Sequence, residues 1–123
     1  MVYDKARELA RDISQSPEYT EYKKLREAAM ANETTKGLIQ QYHQLQLRAQ
    51  AAQLGGQKDE ELMTQLQKLG EILMLNQDAS AYLMAEFRLN QMLGDVYKIL
   101  AEAIDVDPVS YTHLRAHETL SDL

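Results

Sequence analysis

His43 is the one histidine among the first 108 residues, and what chemistry it can do depends on its company. A carboxylate-bridged di-iron bundle needs inward glutamates and two Glu-x-x-His motifs. Gln40 stands three residues before His43, so that motif is absent. A hydroxyl nucleophile needs an imidazole base and an orienting acid, and the spacing of Ser14, Ser16 and Ser80 suggests no such set. The chain has no cysteine, which removes thiolate nucleophiles, disulfides and cysteine-ligated clusters. Gly37, Gly55, Gly56, Gly70 and Gly94 are scattered rather than gathered into a phosphate-cradling loop. His113 and His117 lie four apart beside Glu118, near a helical metal-ligand spacing, but they fall in a segment with a different explanation, given below. No metal or cofactor is expected, and the chain is read as a non-enzyme.

Glu86 is the charged residue that interrupts an apolar pattern. Tyr82, Leu89, Leu93, Val96, Leu100 and Ala103 recur in steps of three and four, with Leu83, Phe87, Tyr97, Ala101 and Ile104 alongside. Glu86 falls within that series. A buried carboxylate must be paired and hydrogen-bonded, or it strongly destabilises the fold. Arg88 stands two residues away and cannot face it on the same helix. Arg48, or Arg88 of a second copy, is the expected ion-pair partner.

The elements that must position these residues are helices. Apolar residues recur at helical spacing throughout, and no segment shows the period-two alternation of a half-buried strand. Five helices are expected. The first runs from about Tyr3 to Ser14, ending ahead of Pro17, because the residue before a proline avoids the α region. Ser16 caps the second, with Pro17 at its first position. Asn32 caps the third, whose stripe is Leu38, Tyr42, Leu45, Ala49 and Ala52, and Gly55-Gly56 stops it. The fourth starts near Asp59 and carries Leu62, Leu66, Leu69 and Leu73. Asn76 or Asp78 caps the fifth. Gly70 and Gly94, inside helices, are expected to allow close helix approach. Met63, Met74, Met84 and Met92 flank the stripes and are read first as core fillers.

The fifth helix, residues 76 to 104, is long for its domain. It spans ~40 Å at ~1.5 Å per residue, whereas a domain of about 100 residues is roughly 35 Å across. Its apolar face is also wider than a two-stranded seam needs. An interface with a second copy is therefore expected on Tyr82, Leu83, Glu86, Phe87, Leu89, Leu93, Val96, Tyr97 and Leu100. The fold class is all-α: an antiparallel helical array or bundle, dimeric.

Composition narrows the partners. The net charge is −6, and phosphate neutralisation needs clustered Lys and Arg. The densest basic group, Lys23, Lys24 and Arg26, is flanked by Glu21 and Glu27, so no direct nucleic-acid binding is expected. The opening MVYDKARELARD is charged at once and does not read as a signal peptide. No apolar run approaches the ~20 residues of a membrane span. A cytoplasmic protein is expected.

Residues 1–108 are read as one helical domain and 109–123 as a non-native tail. The string VSYTHLRAHET, Val109 to Thr119, resembles a translated frame of a sequencing adapter, with LSDL as read-through. The tail is expected to be disordered or only adventitiously helical.

Three segments, YDKARELARDISQSPEYTEYKKLREA, QQYHQLQLRAQ and LMAEFRLNQMLGDVYKIL, resemble the YlbF/YmcA family, in particular its YheA-like members, over residues 2 to 107. The third carries most of the likeness, through Ala85-Glu86, Arg88-Leu89, Leu93 to Val96 and Lys98-Ile99. The resemblance implies an all-helical, self-associating protein of Firmicutes and related bacteria. It also implies a non-enzymatic regulator that assembles with other regulatory proteins and is linked to RNase Y-dependent mRNA processing, competence, sporulation or biofilm control. Some members hold iron–sulfur clusters on cysteines. This chain has none to carry over, so cluster binding is not implied. The alternative expectation is a structural or chaperone-like helical oligomer, using its methionine-rich face and lacking a specific regulatory role.

Overall fold

A computed structural model describes residues 1–105. The expected tail, with His113 and His117, and the 108/109 boundary lie outside the described residues. Five helices follow in order: α1 Val2–Ser14, α2 Pro17–Met30, α3 Glu33–Leu54, α4 Glu60–Met74 and α5 Gln77–Ala103. Among the described residues there is no strand, so the array is all-α.

Each internal helix start is made by a short polar side chain that accepts a hydrogen bond from an otherwise orphaned backbone N–H. Ser16 accepts from Tyr19, Asn32 from Thr35, Asp59 from Leu62 and Asn76 from Ala79. Of the two candidates at α5, Asn76 is therefore the cap. The end of α3 is a Schellman turn. Gln57 N–H donates to the Ala52 carbonyl and Gly56 N–H to that of Gln53, while Gly56 sits at φ 72°, a left-handed conformation that glycine adopts without strain.

Packing is dominated by two pairs, α2 on α5 and α3 on α4, with lesser contacts of α2 on α3, α4 on α5 and α1 on α2. Ile39 of α3 and Leu73 of α4 are fully buried, and Leu45, Leu62, Leu69 and Tyr82 join them in one cluster with Ala29 and Ala79. The buried residues of α3 are Thr35, Ile39 and Leu45, and Leu38, Tyr42 and Ala49 of the expected stripe pack against them, half-buried. Alanines mark where α5 buries its face: Ala79, Ala85 and Ala101 are each 0–1% exposed. A methyl side chain lets backbones approach closely.

The helical glycines Gly70 and Gly94 differ. A Cβ on Gly70 would stand 3.4 Å from Cε1 of Tyr42, so this position admits the tyrosine ring. A Cβ on Gly94 would meet nothing within 4 Å. The close approach expected at Gly94 is corrected, because no neighbouring element comes near it. Three of the four methionines are corrected too: Met63, Met74 and Met84 are each more than half exposed and do not fill the core, while Met92 is half-buried. α1 buries no residue at all.

Candidate functional site

Two features stand out on this scaffold: a polar clamp that joins three helices, and an apolar groove between α4 and α5.

The clamp centres on Glu86. Its carboxylate lies 3.2 Å (Oε1) and 3.0 Å (Oε2) from Nε2 of His43 on α3. An ionised carboxylate only accepts, so the ring presents a protonated Nε2 to it. The Tyr82 hydroxyl donates to Oε2 of Glu86 at 3.1 Å from one turn earlier on α5. The His43 ring meets Tyr82 edge-on with centroids 6.2 Å apart, and Tyr82 packs on Tyr22 of α2 at 5.6 Å. The Arg26 guanidinium sits 5.4 Å above the Tyr22 ring. Burial pushes the Tyr82 phenol far above its ordinary range, and the negative charge of Glu86 raises it further, so Tyr82 stays a neutral donor.

Within the chain, the partner of Glu86 is His43 rather than Arg48. Among the described residues no salt bridge joins Glu86 to Arg48, and Arg88 of the same chain pairs with Glu21 of α2 at 2.8 Å. The reason is rotational. Arg88 lies about 200° round the helix from Glu86 at ~100° per residue, whereas Glu86 is turned toward α3. Sequence spacing offers His43 no partner. Its partner is a carboxylate on another helix. The hydroxyls of Ser14 and Ser16 donate to the carbonyls of Arg11 and Ile13, so those two serve their own turn.

The expected interface residues do not share one surface. Tyr82 and Leu89 are 2% and 8% exposed and belong to the core of their own chain, which corrects their assignment to an interface. Leu93, Val96 and Tyr97 are half-buried, while Leu100 is 50% exposed. Leu83 is half-buried against the core and Phe87 is turned further out, and both line the groove.

The groove holds about 970 Å³. One wall is α4, through Met63, Leu66, Gly70 and Met74. The other is α5, through Leu83, Met84 and Phe87. Tyr42 of α3 contributes between them. The two walls are joined by the short turn Leu75-Asn76. Phe87 is 68% exposed and Leu75 90%. Sequence reasoning placed Leu83 and Phe87 in an interface but missed that Met63 and Met74 of α4 stand opposite them and that Met84 lies beside them. A second cleft of about 750 Å³ lies by the α3–α4 turn, lined in part by Gln46, Gln50, Gln53 and Gln57. Among the described residues no group of three or more acidic, histidine or cysteine side chains could hold a metal ion, and no helix is long and apolar enough to cross a membrane.

Comparison with known proteins places this arrangement. The family model described as "Control of competence regulator ComK, YlbF/YmcA" matches residues 2–105. A UPF0342 protein of Clostridium tetani is 41% identical, covering 86% of this chain and 92% of the relative. Its counterpart in Symbiobacterium thermophilum is 38% identical over 86% of this chain and 96% of the relative. That of Halothermothrix orenii is 37% identical over 85% and 90%. Because the family match spans all five helices, both walls of the groove and the clamp, the chain belongs to the YlbF/YmcA family.

Proposed function

We propose that this protein is a non-enzymatic cytoplasmic adaptor that regulates by protein–protein association, both with itself and with other regulatory proteins. The observation that carries this reading is the groove. Met63, Met74, Met84 and Phe87 are all more than half exposed yet line one continuous apolar cleft. Contiguous apolar surface of this kind marks interaction sites, unlike scattered exposed side chains. Methionine suits such a surface because its flexible thioether adapts to the partner. The clamp beneath serves to hold α3, α5 and α2 in register, so that the groove is presented as a stable shape. The family description, control of the competence regulator ComK, supports a regulatory role of this kind. Links to RNase Y-dependent mRNA processing, sporulation and biofilm formation are the finer part of the proposal.

The test pairs a biophysical and a genetic readout. Light scattering on purified protein reports self-association. A strain lacking the gene, carrying a ComK-dependent reporter, is complemented with wild type or with Phe87→Glu. Wild type restores the reporter and Phe87→Glu does not, although it folds normally. Complementation by Phe87→Glu at wild-type level would defeat the adaptor reading. Co-purification of many unrelated unfolded clients, abolished by the same substitution, would favour the chaperone-like alternative.

A further inference from the structure

We infer that the occupant of the α4–α5 groove is α1 of a second copy of this chain, exchanged reciprocally about a two-fold axis. This rests on the self-association proposed above and names its geometry.

The inference begins with α1. It has thirteen residues, none of them buried. Its apolar residues Val2, Ala6, Leu9 and Ile13 follow steps of four, three and four, with Tyr3 and Ala10 alongside. That is one amphipathic face, yet Val2 is 81% and Tyr3 77% exposed. An isolated helix shorter than ~12–15 residues is marginal in water, and most helical stability in proteins comes from packing an apolar face. The contacts of α1 with α2 cover Leu9, at 36% exposure, and Ile13 only in part and leave the Val2 and Tyr3 end without cover.

The groove matches it in length. From Met74 near the α4–α5 turn to Met63 at the far end is eleven residues of α4, ~17 Å at ~1.5 Å each, and α1 is ~20 Å long by the same measure. Helix-in-groove docking of an amphipathic segment by anchors at i, i+3, i+4 and i+7 is a recurrent mode of recognition.

Charge separates this occupant from its rival, a second groove packed face to face. α4 carries Glu60, Glu61 and Glu71 against Lys68, and α5 carries Asp78, Glu86, Asp95 and Glu102 against Arg88 and Lys98. Each of the two helices therefore carries two acids in excess, while the charged side chains that line the groove itself, Glu71 and Arg88, offset each other. Stacking walls on walls would bring four acidic helices together. In α1, Asp4, Glu8 and Asp12 balance Lys5, Arg7 and Arg11, so it enters without adding to that repulsion. Size points to reciprocity. A stable interface uses about 20–30 residues a side, and one helix in one groove engages roughly half of that. A two-fold exchange doubles it.

The absence of cysteine makes the test direct. Leu9→Cys and Phe87→Cys are prepared separately, one carrying a mass tag, then mixed and treated with a short bis-maleimide. Leu100→Cys, treated alone, probes the rival seam at the end of α5. Expected is a covalent heterodimer of the first two, with little product from Leu100→Cys. Leu9→Glu should weaken dimerisation about tenfold or more while leaving helix content and melting temperature of the monomer unchanged, because Leu9 is not buried. A dimer in which Leu9 and Phe87 fail to crosslink, or in which Leu100 does so instead, overturns this inference and leaves self-association standing. Crosslinking within one chain of a Leu9→Cys/Phe87→Cys variant at high dilution also overturns it. A wild-type protein that is monomeric throughout defeats both the inference and the self-association it rests on.

Discussion

Nε2 of His43 lies 3.0 Å from Oε2 of Glu86, forty-three residues later in the chain, and ties α3 to α5 where their backbones make little direct contact. Both side chains are mostly shielded, at 13% and 21% exposure. Removing one partner leaves the other shielded without its bond. A double-mutant cycle of His43→Ala and Glu86→Ala, read by urea unfolding, is expected to give a coupling of about 1–2 kcal/mol. Independent, additive effects would mean that the pair does not hold the helices together.

The Arg88–Glu21 pair provides the contrast. Both side chains are about half exposed, at 46% and 51%, so solvent and salt screen them. Arg88→Ala is expected to cost about 0.5 kcal/mol or less in the same assay, and the difference should vanish in high salt.

Tyr82 predicts an alkaline response. Its phenol is raised in the folded chain by burial first and by Glu86 second, while the unfolded chain ionises near the ordinary tyrosine value of about 10. Below that value the folded and unfolded states bind the same proton. Above it only the folded state keeps it, so stability falls as pH rises, by about 1.4 kcal/mol per pH unit. Tyr82→Phe should lose that dependence. Unfolding curves of the two proteins at pH 9 and pH 11 check it: wild type should decline more steeply than the variant.

Thr35 is 5% exposed, and its hydroxyl accepts from Nδ2 of Asn76 at 3.0 Å. Asn76 at the same time caps α5 through its oxygen, and the Thr35 N–H is itself held by Asn32. One bond thus links the starts of α3 and α5. Thr35→Val keeps the shape and removes the acceptor. It is expected to cost about 1–2 kcal/mol, measured as a lower urea midpoint with an unchanged slope.

The same substitution at two glycines should have opposite signs. Gly94 is helical with open space where a Cβ would go, so Gly94→Ala should stabilise by about 0.5–1 kcal/mol. Gly56 sits at φ 72° in the turn after α3, so Gly56→Ala should destabilise by about 1 kcal/mol. Paired melting curves decide both.

Much of the architecture was legible because it is local. Ser16-Pro17, Asn32, Asp59 and Gly55-Gly56 act on backbone groups within three or four residues, so a linear reading finds them, and all took the roles expected. The leucines of α4 were legible for the same reason: Leu62, Leu69 and Leu73 are buried as their period implies. Alanine was legible only in part: Ala29 and Ala101 fall on apolar stripes, whereas Ala79 and Ala85 do not. Ala29, Ala79, Ala85 and Ala101 are buried, but alanine is common on both faces of helices, and its burial depends on which helix comes close.

The sequence by itself determined five helices, their boundaries, an all-α class and a surplus of apolar surface, because period, caps and composition are encoded along the chain. Only the tertiary structure decided how that surplus is divided. Tyr82 and Leu89 turn into the core, while Leu83, Met84 and Phe87, on the same helix and in the same apolar run, turn into a groove facing α4. It also decided that, within the chain, Glu86 meets His43. A helix repeats every ~3.6 residues, but which side of it another helix covers is set by contacts between residues forty or more positions apart, which no local period records.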